Sequence, residues 1–299
     1  MSFSFDAKNE LCRLPVQKLC CARAEAYGIL LYCNTFSAAE VRIITENPNF
    51  AARLPKLFHR AFNLRFDRQP EPGAAGKMVF QITERRKLER ITDMLGYDPR
   101  QNLVLHINFA LLEEDCCRAS FLRGVFFAGG SITDPLKRYH LELTTSHQQA
   151  SRELEVLLRE SGYPPKSVAR NGSFVTYFKQ SDQIEDFLTL IGAPVAAMNV
   201  MAAKMEKDLR NSVNRRLNCD SANLDKAVLA AQEQLEAIRR LRAAGRLDRL
   251  PEKLKETAAL REAHPELSLS ELAETVDPPV TKSCISHRLR KLMELAKEL

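Results

Sequence analysis

Tryptophan is missing from this 299-residue chain, which weighs against any function that needs an indole stacking platform. Long apolar runs are missing too: none approaches the roughly 18 residues of a membrane-spanning helix. The best stretch, 24–33, is broken by Glu25. Near the start, Asp6, Lys8, Asn9 and Glu10 leave no apolar core for a secretory signal. The eight cysteines contain no CxxC spacing, and the six histidines form neither HxH nor HExxH. Two cysteine pairs are adjacent, Cys20-Cys21 and Cys116-Cys117. Neighbouring cysteines rarely bridge each other, so the thiols read as reduced and the chain as cytoplasmic. Four thiols that met at a pseudo-two-fold axis could ligate a metal or sense oxidants, but adjacent spacing suits tetrahedral zinc poorly. The pairs are therefore expected to be small buried spacers, with no metal or cofactor. A membrane protein, a secreted disulfide scaffold and a disordered tail are excluded.

What is present is a globular mixture, 45% hydrophobic and 27% charged. The length exceeds the about 100–200 residues of a typical domain, which predicts one large domain and something smaller. A net charge of +6 mildly favours a polyanionic partner without naming one. The duplicated part described next is nearly balanced, with 25 basic and 22 acidic residues over 1–196. Its expected sheet is therefore as suited to a protein partner as to DNA.

An internal repeat organises the first two thirds. Cys21 and Gly28 recur as Cys117 and Gly124, both offset by 96 residues. The same offset relates Val79, Leu88, Ile91, Leu95 and Gly96 to Val175, Ile184, Phe187, Ile191 and Gly192. In each copy a helix carries the cysteine pair. Alternating strands are expected at 40–45 and 139–144, and then at 78–82 and 174–178. Amphipathic helices are expected at 51–62 and 151–161, and short helices stopping at Gly96 and Gly192. The expected fold class is α+β: a duplicated αββα domain with pseudo-two-fold symmetry over 1–196, a helical linker arm over 197–250, and a small helical domain over 251–299. In the arm, Met201, Met205, Leu209 and Val213 form one apolar stripe. Leu224, Val228, Ala231, Leu235 and Ile238 form another, with a polar connection at 214–224 between them.

The last fifty residues fit a helix-turn-helix. Helix 252–263 is followed by Ser268 and Glu271, spaced as a capping box. The Asp-Pro-Pro-Val segment at 277–280 then breaks the chain, and Thr281 is placed to cap a final helix. On that helix Ile285, Leu289 and Leu292 face inward and Cys284 fills space beside Ile285. Ser283, Ser286, His287, Arg290 and Lys291 face outward, flanked by Lys282 and Arg288. Four basic residues and no acid lie between Val280 and Met293. A major-groove helix needs this: hydrogen-bonding groups for base edges, here Ser283, Ser286, His287 and Arg290, and cations for phosphates, here Lys282, Arg288 and Lys291. A solvated face of a small bundle is the alternative reading of the same pattern.

The segment LeuArgGlyValPhePheAlaGlyGly at 122–130 resembles the LAGLIDADG helix of homing endonucleases, and residues 26–34 resemble a diverged partner. The resemblance implies two helices packed through Gly28, Gly124 and Ala128, with a metal-binding acid before the last glycine of each. Cys33 and Gly129 stand at those positions, and neither supplies a carboxylate for a hard divalent cation. Asp134, in an Asp-Pro turn, reads as a turn former. No catalytic residue is assigned, and the chain is expected not to be an enzyme.

Taken with 121–135, 139–142, 214–226 and 277–291, the chain resembles the WhiA family of sporulation and cell-division regulators. The resemblance covers nearly the whole chain. It implies a catalytically inactive LAGLIDADG-like domain fused to a helix-turn-helix, acting as a sequence-specific transcription regulator in division, chromosome segregation or sporulation. The implied partners are double-stranded promoter DNA and, as proteins, other transcription factors or RNA polymerase. Neither a membrane nor a small-molecule substrate is implied, and the place is the cytoplasm, at the nucleoid. Two other readings stay open: a residual nuclease using Glu25, Asp134 or Glu142, and an RNA-binding, maturase-like module.

Overall fold

The repeat folds as two similar halves in the computed structural model, which describes residues 2–16, 18–71, 73–74, 76–97 and 104–299. The chain divides into two units, Met1–Asp208 and Leu209–Leu299. In the first, α1 (Phe3–Cys12) precedes a half made of α2 (Leu19–Tyr32), β1 (Thr35–Phe36), β2 (Val41–Thr45), α3 (Pro48–Phe62), β3 (Met78–Ile82) and α4 (Arg85–Leu95). The second half is α5 (Asp115–Gly129), β4 (Gly130–Ile132), β5 (Leu141–Thr145), α6 (Gln148–Glu160), β6 (Lys166–Arg170), β7 (Ser173–Phe178) and α7 (Ser181–Ile191). The sheets are antiparallel, ordered β1-β2-β3 and β4-β5-β7-β6.

Registers expose the duplication and its irregularity. Val41 pairs with Ile82, and Leu141 with Phe178. The second strands therefore keep the offset of 96 while β2 and β5 are 100 apart. A longer turn between β4 and β5 inserts the extra residues. The sequence pattern missed β1, β4 and β6, which are too short or too evenly polar to show a period of two. Where the second half has β6, the first has a single bridge, Arg68 to Gln81. Gly96 and Gly192 end α4 and α7 in the left-handed conformation, at φ 73° and 95°.

The core is built on α2 and α5. A Cβ on Gly28 would lie 2.2 Å from the Phe121 carbonyl oxygen, and one on Gly124 would lie 2.0 Å from that of Glu25. The two backbones therefore touch, which any side chain larger than hydrogen forbids. Around this seam Phe50 of α3 stacks on Phe127 of α5, with ring centroids 4.7 Å apart. Glu25, 2% exposed, accepts from Arg53 at 2.6 and 2.9 Å and from Arg123 at 3.2 Å. That buried group ties α2 to α3 and α5, and both carboxylate oxygens are partnered as burial requires.

After α7 the chain enters α8 (Pro194–Ala243), one helix of 50 residues. The expected connection at 214–224 is helical instead. It contains neither glycine nor proline, and its Asn, Asp and Ser residues each cost well under about 1 kcal/mol relative to alanine. The expected stripes also differ, since Met201, Met205, Leu209, Val213, Leu224 and Val228 are exposed. Ala231 and Ile238 are buried. The start of α8, as far as Asp208, belongs to the first unit. Glu10 accepts from the Val195 and Ala196 amides at 2.7 and 2.9 Å, placing a carboxylate on the helix N-terminus. Lys207 donates to the Pro135 carbonyl at 2.6 Å.

Replacing Gly124 by alanine is expected to destabilise the first unit by about 2–3 kcal/mol or more, because backbone rather than a yielding side chain blocks the new methyl group. Urea unfolding of the variant measures this. An unchanged midpoint contradicts the close contact.

Candidate nucleic-acid interface

The second unit is held by caps and one apolar cluster. It contains α8 from Leu209 onward, a single 3-10 turn at Leu247–Arg249, then α9 (Glu252–Ala263), α10 (Leu269–Glu274) and α11 (Lys282–Lys297). Ser268 starts α10 by accepting from the Glu271 amide at 3.3 Å, and the Glu271 carboxylate accepts from the Ser268 amide at 2.8 Å. The reciprocal bonds satisfy two otherwise orphaned donors. Pro278 and Pro279 cannot continue the helix, and the chain returns when the Val280 amide donates to the Ala273 carbonyl at 3.0 Å. Thr281 then caps α11, its hydroxyl accepting from the Cys284 amide at 3.3 Å. Arg261, buried at the end of α9, fastens the turn to α10 by donating to the Leu267 carbonyl at 2.8 Å.

The periodicity of α11 sets its two faces. Ile285, Leu289, Leu292 and Ala296 are buried with Ala258, Leu272, Ala273, Ile238 and Leu241. On the other side Lys282, Ser283, Ser286, His287, Arg290 and Lys291 are exposed. Arg288 differs. It is half-buried, and its guanidinium donates to the Thr257 hydroxyl at 3.4 Å, joining α11 to α9. Cys284 is half-buried beside Ile285. Glu294 closes the exposed arc, 3.9 Å from Arg290 and 3.6 Å from Lys291. Its i,i+4 spacing from Arg290 was legible, but the residue lies one place beyond the acid-free window. Exposed pairs this long are weak, so both cations remain available to a stronger anion. The arc thus offers hydroxyl, imidazole and guanidinium groups between two lysines.

In the first unit, a second candidate site falls at the two positions where the LAGLIDADG pattern places acids. Cys33 caps α2, buried, with its thiol facing the Leu30 and Thr35 carbonyls at 3.2 and 3.1 Å. Burial pushes that thiol up to about 12. Gly129 ends α5 where a Cβ would lie 2.3 Å from the Thr144 carbonyl oxygen and 2.8 Å from the Tyr32 ring. An acid at that position requires the backbone to move. Other carboxylates named as alternatives are engaged locally: Glu25 with two arginines, Asp134 with the Leu136 amide at 2.9 Å, Glu142 with His140 at 3.1 Å.

The cysteine pairs depart from expectation. Only Cys117 is buried; Cys21 and Cys116 are half-buried and Cys20 is exposed. All four sulfurs lie within 4.8 Å of one another. The signal for this gathering was the repeat itself, since an equal offset puts both pairs at equivalent places on the two helices that touch.

Comparison with known proteins accords with both units. The family description "WhiA LAGLIDADG-like domain" matches residues 118–210, and "WhiA C-terminal HTH domain" matches residues 213–296. A probable cell division protein WhiA from Ruminiclostridium cellulolyticum is 36% identical over 307 residues, covering 100% of this chain and 98% of its own. The chain belongs to the WhiA family. A probable cell division protein WhiA from Clostridium novyi is also 36% identical, over 312 residues covering 100% of this chain and 98% of that protein. The crystal structure of full-length WhiA from Thermatoga maritima superposes with a TM-score of 0.60 at 22% identity, covering 100% and 99% of the two chains, and so shares the fold. No helix among the described residues of this WhiA-family chain is long and apolar enough to cross a membrane.

Two outcomes follow from this geometry. Thr281→Ala should lower the unfolding free energy of the second unit by about 1 kcal/mol through loss of the α11 cap, read by thermal or urea unfolding followed by circular dichroism. In the native protein at pH 8, Cys33 should resist iodoacetamide while exposed Cys219 reacts. Peptide mass spectrometry decides, and rapid labelling of Cys33 contradicts its burial.

Proposed function

We propose that this WhiA-family chain is a sequence-specific transcription regulator that binds double-stranded promoter DNA through α11 and has no nuclease activity. The observation that carries the reading is the two-faced α11, with its apolar side anchored and its outer arc rich in donors and cations. Ser283, Ser286, His287 and Arg290 read base edges, and Lys282 and Lys291 hold phosphates. Arg288 belongs to the phosphate set assigned from the sequence. Its bond to Thr257 gives it a positioning role, holding α11 against α9. The division of labour is a duplicated scaffold over 1–196, a helical arm over 197–250 and a DNA-reading domain over 251–299.

The names of the relatives support a setting in cell division, and the family resemblance adds chromosome segregation and sporulation control. The protein acts at the nucleoid, in the cytoplasm, with other transcription factors or RNA polymerase as its protein partners. Absence of catalysis rests on Cys33 and Gly129. One position carries a buried thiol held against carbonyl oxygens, and at the other Thr144 and Tyr32 occupy the space a carboxylate needs.

The experiment is a binding selection: full-length protein with fragmented genomic DNA of its host, in Mg²⁺ near physiological salt, followed by sequencing of bound fragments. Intact fragments sharing a motif are expected. Arg290→Ala should then cost about 1–3 kcal/mol on that motif and relax specificity at one position. Lys282→Ala should weaken all sequences alike and reduce the salt slope by about one. Fragments with a common new end would identify a nuclease, and failure of both variants to alter affinity would remove α11 from the interface.

A further inference from the structure

The four gathered cysteines play no part in that reading of α11. Cys20 and Cys21 are the second and third residues of α2, and Cys116 and Cys117 hold the same places in α5. The first turns of the two helices are side by side, with the Cys21 thiol 3.7 Å from the Cys116 carbonyl oxygen. All four sulfurs fall within 4.8 Å of one another, and those of Cys20 and Cys21 are 4.0 Å apart. In a tetrahedral tetrathiolate with metal–sulfur bonds of about 2.3 Å, the sulfurs are about 3.8 Å apart. Side-chain adjustments of under about 1 Å therefore close the observed cluster around an ion.

Adjacent cysteines on one helix rarely make a zinc site because both must bind from one side of one backbone. Here each helix supplies only two ligands, and the duplication supplies the second helix at contact distance. The surroundings suit the charge. Four thiolates around a divalent cation carry a net charge of −2, and the site sits at two helix N-termini, whose first-turn amides and dipoles favour negative charge. Cys20, exposed, leaves a path for the ion, while Cys117 is buried among apolar neighbours.

We propose that Cys20, Cys21, Cys116 and Cys117 form a tetrathiolate site for one zinc ion that pins together the N-terminal ends of the two repeat helices. Soft thiolates select zinc over magnesium or manganese. Four protein ligands fill a tetrahedral shell and leave no open position for water, so the site is structural and does not replace the nuclease metals. On binding, four S–H protons pass to solvent as four zinc–sulfur bonds form.

The test uses the full chain, expressed with added zinc and purified anaerobically with reductant. Elemental analysis should find about one zinc per chain. Exchange with cobalt(II) should give a thiolate-to-cobalt charge-transfer band and the intense visible bands of a tetrahedral ion. The Cys20→Ser/Cys117→Ser double variant, which removes one ligand from each helix, should lose both spectral features. Cys219→Ser should keep them. If the double variant does not fold, the wild type decides: zinc chelation should lower its Tm, and returning zinc should restore it. Substoichiometric zinc in the wild type overturns the proposal. So does a cobalt spectrum that survives the double substitution, a Tm indifferent to chelation, or disulfides linking these cysteines in the anaerobically isolated protein.

Discussion

The contact between α2 and α5 is the constraint on which the first unit depends. Gly28 and Gly124 let the two backbones approach until a carbonyl oxygen of each stands where the other's Cβ would be. Everything bonded to either helix is then located relative to the other. The sheets follow from the C-terminal ends, β1 and β4 beginning within a few residues of Tyr32 and Gly129. Glu25 lies next to the seam and takes Arg53 from α3 and Arg123 from α5, so one buried carboxylate locks three helices. Removing either arginine alone would leave a charge partly uncompensated in an apolar setting, which costs more than the pair's net contribution.

The same seam explains how the LAGLIDADG-like pairing of helices tolerates Cys33 and Gly129 at its ends. Close packing of two helices needs small residues along the contact and is indifferent to what stands at the helix ends. At those ends Cys33 has become a buried cap, and Gly129 lies under the Thr144 carbonyl and the Tyr32 ring. The opposite ends of the same helices carry the cysteine pairs, so the same approach also assembles four sulfurs.

The second unit solves a different problem, that of holding short helices in water. α10 is six residues long and is not stable by propensity alone. Its capping box, the Arg261 bonds to the preceding turn and the burial of Leu272 and Ala273 hold it in place. α11 inherits that stability through Ile285, Leu289 and Leu292, which frees its outer residues from any structural duty except at Arg288.

The sequence alone determined a good deal. Repeat spacing, helix stops at glycine and strict alternation located both halves, because those signals come from local backbone preference and from a face that must be buried. Caps at Ser268 and Thr281 and the inward triad of α11 were legible for the same reason: each is a relation among residues three or four apart. Tertiary structure alone decided what distant residues do to one another. It ran α8 unbroken through 214–224, where polar composition is compatible with helix as well as with a loop. It turned Arg288 toward Thr257, withdrew Glu25 into an ion-paired core and gathered Cys20, Cys21, Cys116 and Cys117. Those outcomes depend on which surfaces meet, and a one-dimensional pattern carries the spacing of residues along a chain but not the distance between two helices.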